Sequence, residues 1–511
     1  MEKRVAIIGA GISGLLACKY TASNGYNPIV FEAQDKIGGL WNQTIETTRL
    51  QNVKEVFQFS DFPWPPSVGD MFPRSSQLVG YLQSYADNFE LLPYIKFNSK
   101  VVSIDYVGVS DDEMLTWDLW GGGGDAFGSS ASNGGGKWIL KVFDTTDESL
   151  KEYEAEFVIV CIGRFSGLPN IPEFPPESGP EIFSGKLIKG KRIAVIGSGK
   201  SAVDIAFECA NANGNKNPCT VIQRTIHWML PDAQPWGVNF GYLCFNRFSE
   251  LMVHKPGEGL FSSIFATLLS PLRWVVTKFV ESHIRRKLPL KKYDMIPKES
   301  FVQEASSCQI FFLPEKFYDK VEDKSIIFKK SNQFTFCKEG LILNGEENNP
   351  VKVDIVIFAT GYKGDEKLKN IFSSPTFQTY IEGSPTSTIP LYRQMIHPRI
   401  PQLAIIGYSE SLANLYTFEM RCKWLSFFLD GAFNLPRIKL MEKDIQEWDK
   451  YMKKYSGNGK FRRACIGGVH IWYNDQLCRD IGCNPRRKKG VFEDLFQPYG
   501  SADYAGLAPQ L

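Results

Sequence analysis

A chain of 511 residues exceeds one ordinary hydrophobic core and allows two to four domains. Its net charge of +2 gives no electrostatic ground for nucleic acid or an acidic polymer as a partner. The 11 cysteines form an odd, scattered set with no CxxC pair, which argues against a zinc site or a disulfide framework and for a reducing compartment.

The run Val5-Ala6-Ile7-Ile8 predicts a buried parallel strand and leads into Gly9-Ala10-Gly11-Ile12-Ser13-Gly14. A helical segment over residues 15–23 follows, then a second apolar run, Ile29-Val30-Phe31, ending on Glu32. Strand, glycine turn, helix, strand and acid make up the dinucleotide-binding fingerprint in its full context. Gly9 permits the tight turn, Gly11 lets backbone approach a pyrophosphate, and Gly14 lets helix pack closely on strand. The helix N-terminus offers free N–H groups to phosphate, and Glu32 can accept hydrogen bonds from ribose hydroxyls. Gly38-Gly39-Leu40-Trp41 then brings backbone close to the cofactor with Trp41 packed on it, or else forms a glycine-rich turn beside a core Trp.

Gln51 and Asn52 precede a loop fixed by Pro63, Pro65 and Pro66; their amides can meet a ring cofactor or serve as turn residues. Helical periodicity covers residues 76–89. Residues 101–106, 115–120 and 138–142 alternate like antiparallel strands, the last two separated by a Gly/Ser-rich tract, 121–136, expected as a flexible surface loop. Residues 157–163 predict a strand returning to the first sheet, and the prolines of 167–180 a hinge.

The fingerprint then recurs. Ile193-Ala194-Val195-Ile196 leads into Gly197-Ser198-Gly199-Lys200-Ser201-Ala202, with the small Ala202 an accepted third position. The next strand, residues 220–223, ends on Arg224 where the first copy has Glu32. An acid repels a 2′-phosphate and a guanidinium holds it bidentately, so the first copy suits an unphosphorylated adenine ribose and the second NADP. The alternative for Arg224 is a solvated charge at a strand end.

Residues 228–296 are less patterned and carry aromatic clusters with the basic run Arg285-Arg286-Lys287; solvated basic helix faces or a membrane-surface patch both fit. The apolar window 264–280 is broken by Pro271, Arg273 and Lys278 and is too short and charged to span a bilayer. Buried strands ending in glycine at 354–361 and 403–407 are expected to close the first sheet. The chain opens almost directly into a core strand, which leaves no room for a signal peptide and makes the cytoplasm the expected location.

Two such fingerprints, together with Gly38-Gly39-Leu40-Trp41, Phe59-Ser60-Asp61-Phe62-Pro63-Trp64-Pro65 and Phe358-Ala359-Thr360-Gly361-Tyr362, resemble flavin-containing monooxygenases, most nearly the plant branch. The resemblance covers nearly the whole chain. It implies an α/β fold with two Rossmann-like domains: FAD-binding residues 1–175 and 336–511, with an NADPH-binding domain, 176–335, inserted. It implies FAD and NADPH as cofactors, and O2 and a small metabolite as substrates. In that family NADPH reduces FAD, O2 adds to give a C4a-hydroperoxyflavin, and a soft nitrogen or sulfur nucleophile takes one oxygen atom.

Two departures stand out. The family's Asn in a Thr-Asn-x-x-Lys-Glu setting falls on Gln51, counting back from Lys54-Glu55, with Asn52 adjacent; the implied catalytic amides are Gln51 and Asn52. The identifying pattern F-x-G-x-x-x-H-x-x-x-[FY] begins at Phe183-Ser184-Gly185, then has Lys189 for His and Ile193 for the aromatic, on a shortened connector. An uncoupled NADPH oxidase that releases peroxide, or an impaired flavoprotein acting through partners, are the alternatives this connector suggests. No metal cluster or transmembrane segment is expected.

Overall fold

The computed structural model describes residues 3–129, 135–175, 190–345, 349–456 and 461–508. Two all-parallel sheets organise the chain. The first runs Leu403–Ile405, Phe157–Val160, Val5–Ile8, Ile29–Phe31, Ile95–Lys96 in spatial order. The second runs Ile326–Lys330, Cys219–Gln223, Ile193–Ile196, Ile355–Phe358. Strands Val5–Ile8 and Ile193–Ile196 are apolar at every position because both faces are covered, as a parallel sheet requires. Val5 and Ile7 enter one core while Ala6 and Ile8 enter another; Ile193 and Val195 likewise part from Ala194 and Ile196. Fully burying each such Ile or Val is worth about 1.5–3 kcal/mol.

Each sheet is built by the same chain path. A strand, glycine turn, helix and strand are followed later by a three-stranded antiparallel meander and a further parallel strand, Phe157–Val160 in the first sheet and Ile355–Phe358 in the second; Leu403–Ile405 joins the first sheet later. The meanders are Ser99–Val107, Lys137–Asp144, Ser149–Ala155 in the first unit and Phe334–Cys337, Gly340–Leu343, Val351–Lys352 in the second. The chain then continues into helix Asn414–Leu429, which packs on Ile12–Ser23. It is buried around its whole circumference, including Glu419, Arg421 and Lys423.

Several expectations from the sequence are corrected. Ile355–Phe358 pairs with Ile193–Ile196 in the second sheet, not the first; an apolar run ending in glycine looks alike in either sheet, and the meander before it delivers the chain to the second. Leu115–Trp120 is not a strand: Asp111–Thr116 is a helix capped by the Ser110 side chain, and Ser149–Ala155 supplies the third meander strand. The described part of the tract after Trp120, residues 121–129, is packed, not solvated, with Ala126 and Phe127 buried and Gly128 against the Gly121 carbonyl, while residues 130–134 lie outside the described residues. Cys308 and Cys465 form a disulfide across 157 residues, a pairing no local spacing reveals. It ties the segment after helix Phe301–Ser306 to strand Cys465–Gly467. The expected helix over residues 76–89 is observed as Ser75–Asn88. Phe183, Ser184, Gly185 and Lys189 of the connector lie outside the described residues, whereas Ile193 opens the second sheet's central strand.

Candidate functional site: two dinucleotide cradles

In the first cradle Gly9 has φ +102°, and a Cβ there would lie 2.7 Å from the Cys161 carbonyl oxygen. A Cβ on Gly14 would lie 1.8 Å from the Gly9 oxygen, so helix Ile12–Ser23 can approach the strand only through glycine. Gly11 differs: a Cβ would meet only the Gly39 Cα, at 3.8 Å, leaving its other side open for a ligand. Gly11 is also the N-cap, with no side-chain cap and no acid in the first turn. The first-turn N–H groups near Ile12 and Ser13 are therefore left for an anion.

Glu32 is buried, and its carboxylate accepts the Ala10 N–H at 2.6 Å and the Gln34 N–H at 2.9 Å. It thus shapes the glycine turn, a structural job the sequence did not disclose. Gly38, at φ +111°, donates its N–H to the Ala10 oxygen at 3.0 Å. This brings the short helix Gly39–Gln43, with Leu40 and half-buried Trp41, onto the cradle. Lys367 was not foreseen. Its ammonium binds the Ile162 carbonyl at 2.7 Å and the Ser166 hydroxyl at 3.0 Å. Burial lowers its pKa against the opposing field of Glu32. A lysine in the polar helix Gly364–Lys369 carries no sequence signal of this placement.

The second cradle repeats the geometry. Gly197, at φ +153°, has its would-be Cβ 2.4 Å from the Ala359 oxygen, as Gly9 has toward Cys161. The same Cβ would stand 3.2 Å from the Ala202 methyl, so the third position has room for Ala. Gly199 caps helix Lys200–Asn213 with no side-chain cap, and a Cβ on it would find nothing within 4 Å. Ser198 and Ser201 flank this open turn, and Lys200 pairs with Asp204 at 2.6 Å. Arg224 follows strand Cys219–Gln223, exposed, with no ion pair or hydrogen bond among the described residues. Glu32 and Arg224 thus occupy matching strand ends with opposite charge.

Between the units lies a cavity of about 1290 Å³. Arg49, Gln51 and Arg74 line it from one side, and Lys200, His283 and Arg286 from the other. Gln51 and Asn52 are brought together but engaged in different directions. The Gln51 oxygen accepts the Phe312 N–H at 2.8 Å, and the Asn52 amide donates to the Leu412 carbonyl at 2.8 Å. Gln51 faces the cavity, whereas Asn52 is not among its lining residues. On the far wall, Asp232 and His283 pair at 3.0 Å, the Trp236 N–H meets the other His283 ring nitrogen at 3.1 Å, and Arg286 stacks over Trp236.

The Ser60-Asp61-Phe62-Pro63 stretch proves to be an anchor. The Ser60 N–H and hydroxyl bind buried Glu419, Asp61 pairs with Lys19, and Lys423 donates to the Ser60 hydroxyl at 3.0 Å. Phe59, Phe62 and Trp64 pack around Tyr81. This fixes the loop that carries Gln51 and Asn52 to the helix behind the first cradle.

Two parallel-sheet cradles with uncapped, glycine-opened helix starts, in units that meet at a cavity, define an enzyme built to hold two dinucleotides. The residues fit that use: glycine where a Cβ would collide, open space where a pyrophosphate would sit, and acid and base at the two ribose ends. A family profile described as flavin-binding monooxygenase-like matches residues 2–119 and 136–495. The chain is 39% identical to the probable flavin-containing monooxygenase 1 of Arabidopsis thaliana, over 98% of this chain and 96% of that protein. It is 36% identical to the putative flavin-containing monooxygenase 2 of the same plant, over 95% and 98%. Its fold resembles oxidized steroid monooxygenase bound to NADP (TM-score 0.63, 18% identity, 93% and 97% covered). It also resembles S-allyl-L-cysteine S-oxygenase from Allium sativum (TM-score 0.55, 18% identity, 94% and 89% covered). The protein belongs to the flavin-binding monooxygenase-like family, and is an oxidoreductase of that kind.

Proposed function

We propose that the protein is an NADPH- and O2-dependent monooxygenase that holds FAD in the first cradle and NADPH in the second, and oxygenates a soft nitrogen or sulfur of a small metabolite. The observation that carries this reading is the opposite charge at matching positions. Buried Glu32 excludes a 2′-phosphate from the first ribose end, and free Arg224 is placed to bind one at the second. FAD when bound supplies the chemistry, taking reducing equivalents from NADPH and activating O2. The chain's own work is to bind, orient and exclude water. Gly11 and Gly199 admit pyrophosphate to backbone N–H groups. Gly39, Leu40 and Trp41 pack beside the first cradle. With its oxygen held by Phe312, Gln51 has its NH2 group left to donate toward the cavity, and Asn52 braces the same loop. We assign FAD binding to residues 1–175 and the part of 336–511 that follows Phe358, and NADPH binding to 176–335 together with the meander and strand that continue that unit to Phe358. The test is anaerobic mixing: NADPH should bleach the bound flavin far faster than NADH does. Flavin that stays oxidised with NADPH would overturn the proposal.

A further inference from the structure

Helices Leu260–Leu268 and Ser270–Lys287 form a pair bent by 50° on the outside of the molecule. The first contains no charged residue and buries only Ala266. Leu260, Phe261 and Leu268 are 75, 79 and 70 % exposed, with Ile264 and Phe265 beside them. The second helix continues the surface with Leu272, Val275 and Trp274, the last 62 % exposed. The short helix Arg247–Leu251 packs on Leu260–Leu268 and also on Val491–Phe496, where Phe248 meets Phe496 at 5.0 Å. That extends the apolar face to exposed Leu251, Val491 and Phe492. This uncharged helix turns its Leu and Phe side chains to the outside of the molecule, not into the core where an apolar helix face is ordinarily buried. A contiguous exposed apolar face of this kind marks an interaction surface.

The charges around it select the partner. Between Gly259 and Lys287 the sole acid is Glu281, which is buried and paired with Lys278 at 2.7 Å. Lys278 and Arg285 are exposed, as is Lys489 beside Val491, with Glu493 the one exposed acid of that short helix; Arg286 and Lys287 line the cavity at the far end of the helix. A second copy meeting this face about a two-fold axis would set cation against cation. An anionic phospholipid surface presents the opposite charge, an acyl boundary for Phe and Leu, and a headgroup level that suits Trp274. Among the described residues no single helix is long and apolar enough to cross a membrane.

We propose that this face docks the protein peripherally on anionic phospholipid, with Phe261, Phe265, Leu268 and Trp274 entering the headgroup–acyl boundary and no segment crossing it. The proposal does not rest on the oxygenase reading. It has one consequence for it, since the same helix that begins at the lipid ends with His283 and Arg286 on the cavity wall.

The test uses the full-length flavin-loaded protein with two vesicle types, phosphatidylcholine alone and phosphatidylcholine with phosphatidylserine, in a flotation assay. Binding to the serine-lipid vesicles is expected, weaker in high salt and weaker on phosphatidylcholine alone. The double variant Phe261→Ser/Leu268→Ser, at two exposed positions, should lose at least about tenfold in bound fraction while keeping flavin content and NADPH oxidation. Arg285→Gln/Lys489→Gln should weaken only the anionic-lipid binding. Absence of vesicle binding by the parent protein, or binding that the Ser variant leaves unchanged, would overturn the proposal. So would a solution dimer that the Ser variant dissociates, which would make a second copy the occupant.

Discussion

The side-chain oxygen of Gln51 accepts the backbone N–H of Phe312 at 2.8 Å, joining the loop of the first cradle to a strand that borders the second unit. The bond crosses one edge of the cavity, where Phe72 and Phe312 also meet ring to ring at 5.0 Å. One side chain therefore both fixes the approach of the two units and presents its amide to the space between them.

These two roles separate by substitution. Gln51→Ala leaves the Phe312 N–H without its acceptor and should cost about 1–3 kcal/mol of stability. Gln51→Glu keeps the acceptor and removes the NH2 donor. It should melt near the parent temperature yet release more peroxide per NADPH. Parent-like coupling in the Glu variant would confine Gln51 to holding the units together.

At the first cradle, Gly14→Ala places a methyl where the Gly9 carbonyl oxygen already sits. The helix must move off the strand, and the purified protein should carry little flavin by its visible absorbance. The matched change in the second cradle, Ala202→Gly, relieves no clash and should leave flavin content unchanged. A fully yellow Gly14→Ala protein would remove FAD from this cradle.

In the proposed function, cofactor choice rests on Arg224. Loss of a charge-assisted bond to a 2′-phosphate is worth about 1.5–3 kcal/mol, so Arg224→Ala should raise KM for NADPH on the order of tenfold or more. KM for NADH should hardly change. Equal effects on both would make Arg224 a solvated strand end.

Far from the cavity, Glu250 joins helix Arg247–Leu251 to the start of helix His470–Ile481, accepting the Ile471 and Trp472 N–H groups at 2.7 and 2.8 Å. Burial pushes its carboxyl up to about 7, against Lys255 and those N–H groups, which favour the charge. The folded state therefore keeps a proton that the unfolded chain, with a carboxyl near 4.5, gives up. Stability from this group is full below about 4.5, falls as pH rises toward about 7, and is flat above, a loss on the order of 3 kcal/mol. Neighbouring His470, held by burial to about 3, stays neutral through that window. Glu250→Gln should gain melting temperature relative to the parent progressively across that window. An offset independent of pH would contradict the assignment.

Both cradles were legible in the sequence because their information is local: apolar runs, glycines at fixed spacing, and the residue ending the next strand. The part Glu32 plays in shaping the turn was not, since its bonds to Ala10 and Gln34 depend on how the turn closes. The sheet that Ile355–Phe358 joins, the Cys308–Cys465 bond and the approach of Lys367 to the first cradle are all long-range, and periodicity is blind to them. Leu115–Trp120 misled for the opposite reason. Its alternation is strand-like, but Ser110 before Asp111-Asp112-Glu113 caps a helix with acids in its first turn. The exposed face of Leu260–Leu268 was visible only as composition; that it lies outside the core needed the fold.

The central claim is that NADPH and O2 are spent on oxygenating a soft nucleophile. Its most direct measurement counts NADPH oxidised, peroxide released and oxygenated product formed, in one reaction under isotopically labelled O2, across a panel of amines and sulfides. The account predicts at least one substrate for which product matches NADPH one for one and carries a single labelled oxygen atom. Peroxide equal to NADPH with every substrate, and no labelled product, would contradict it.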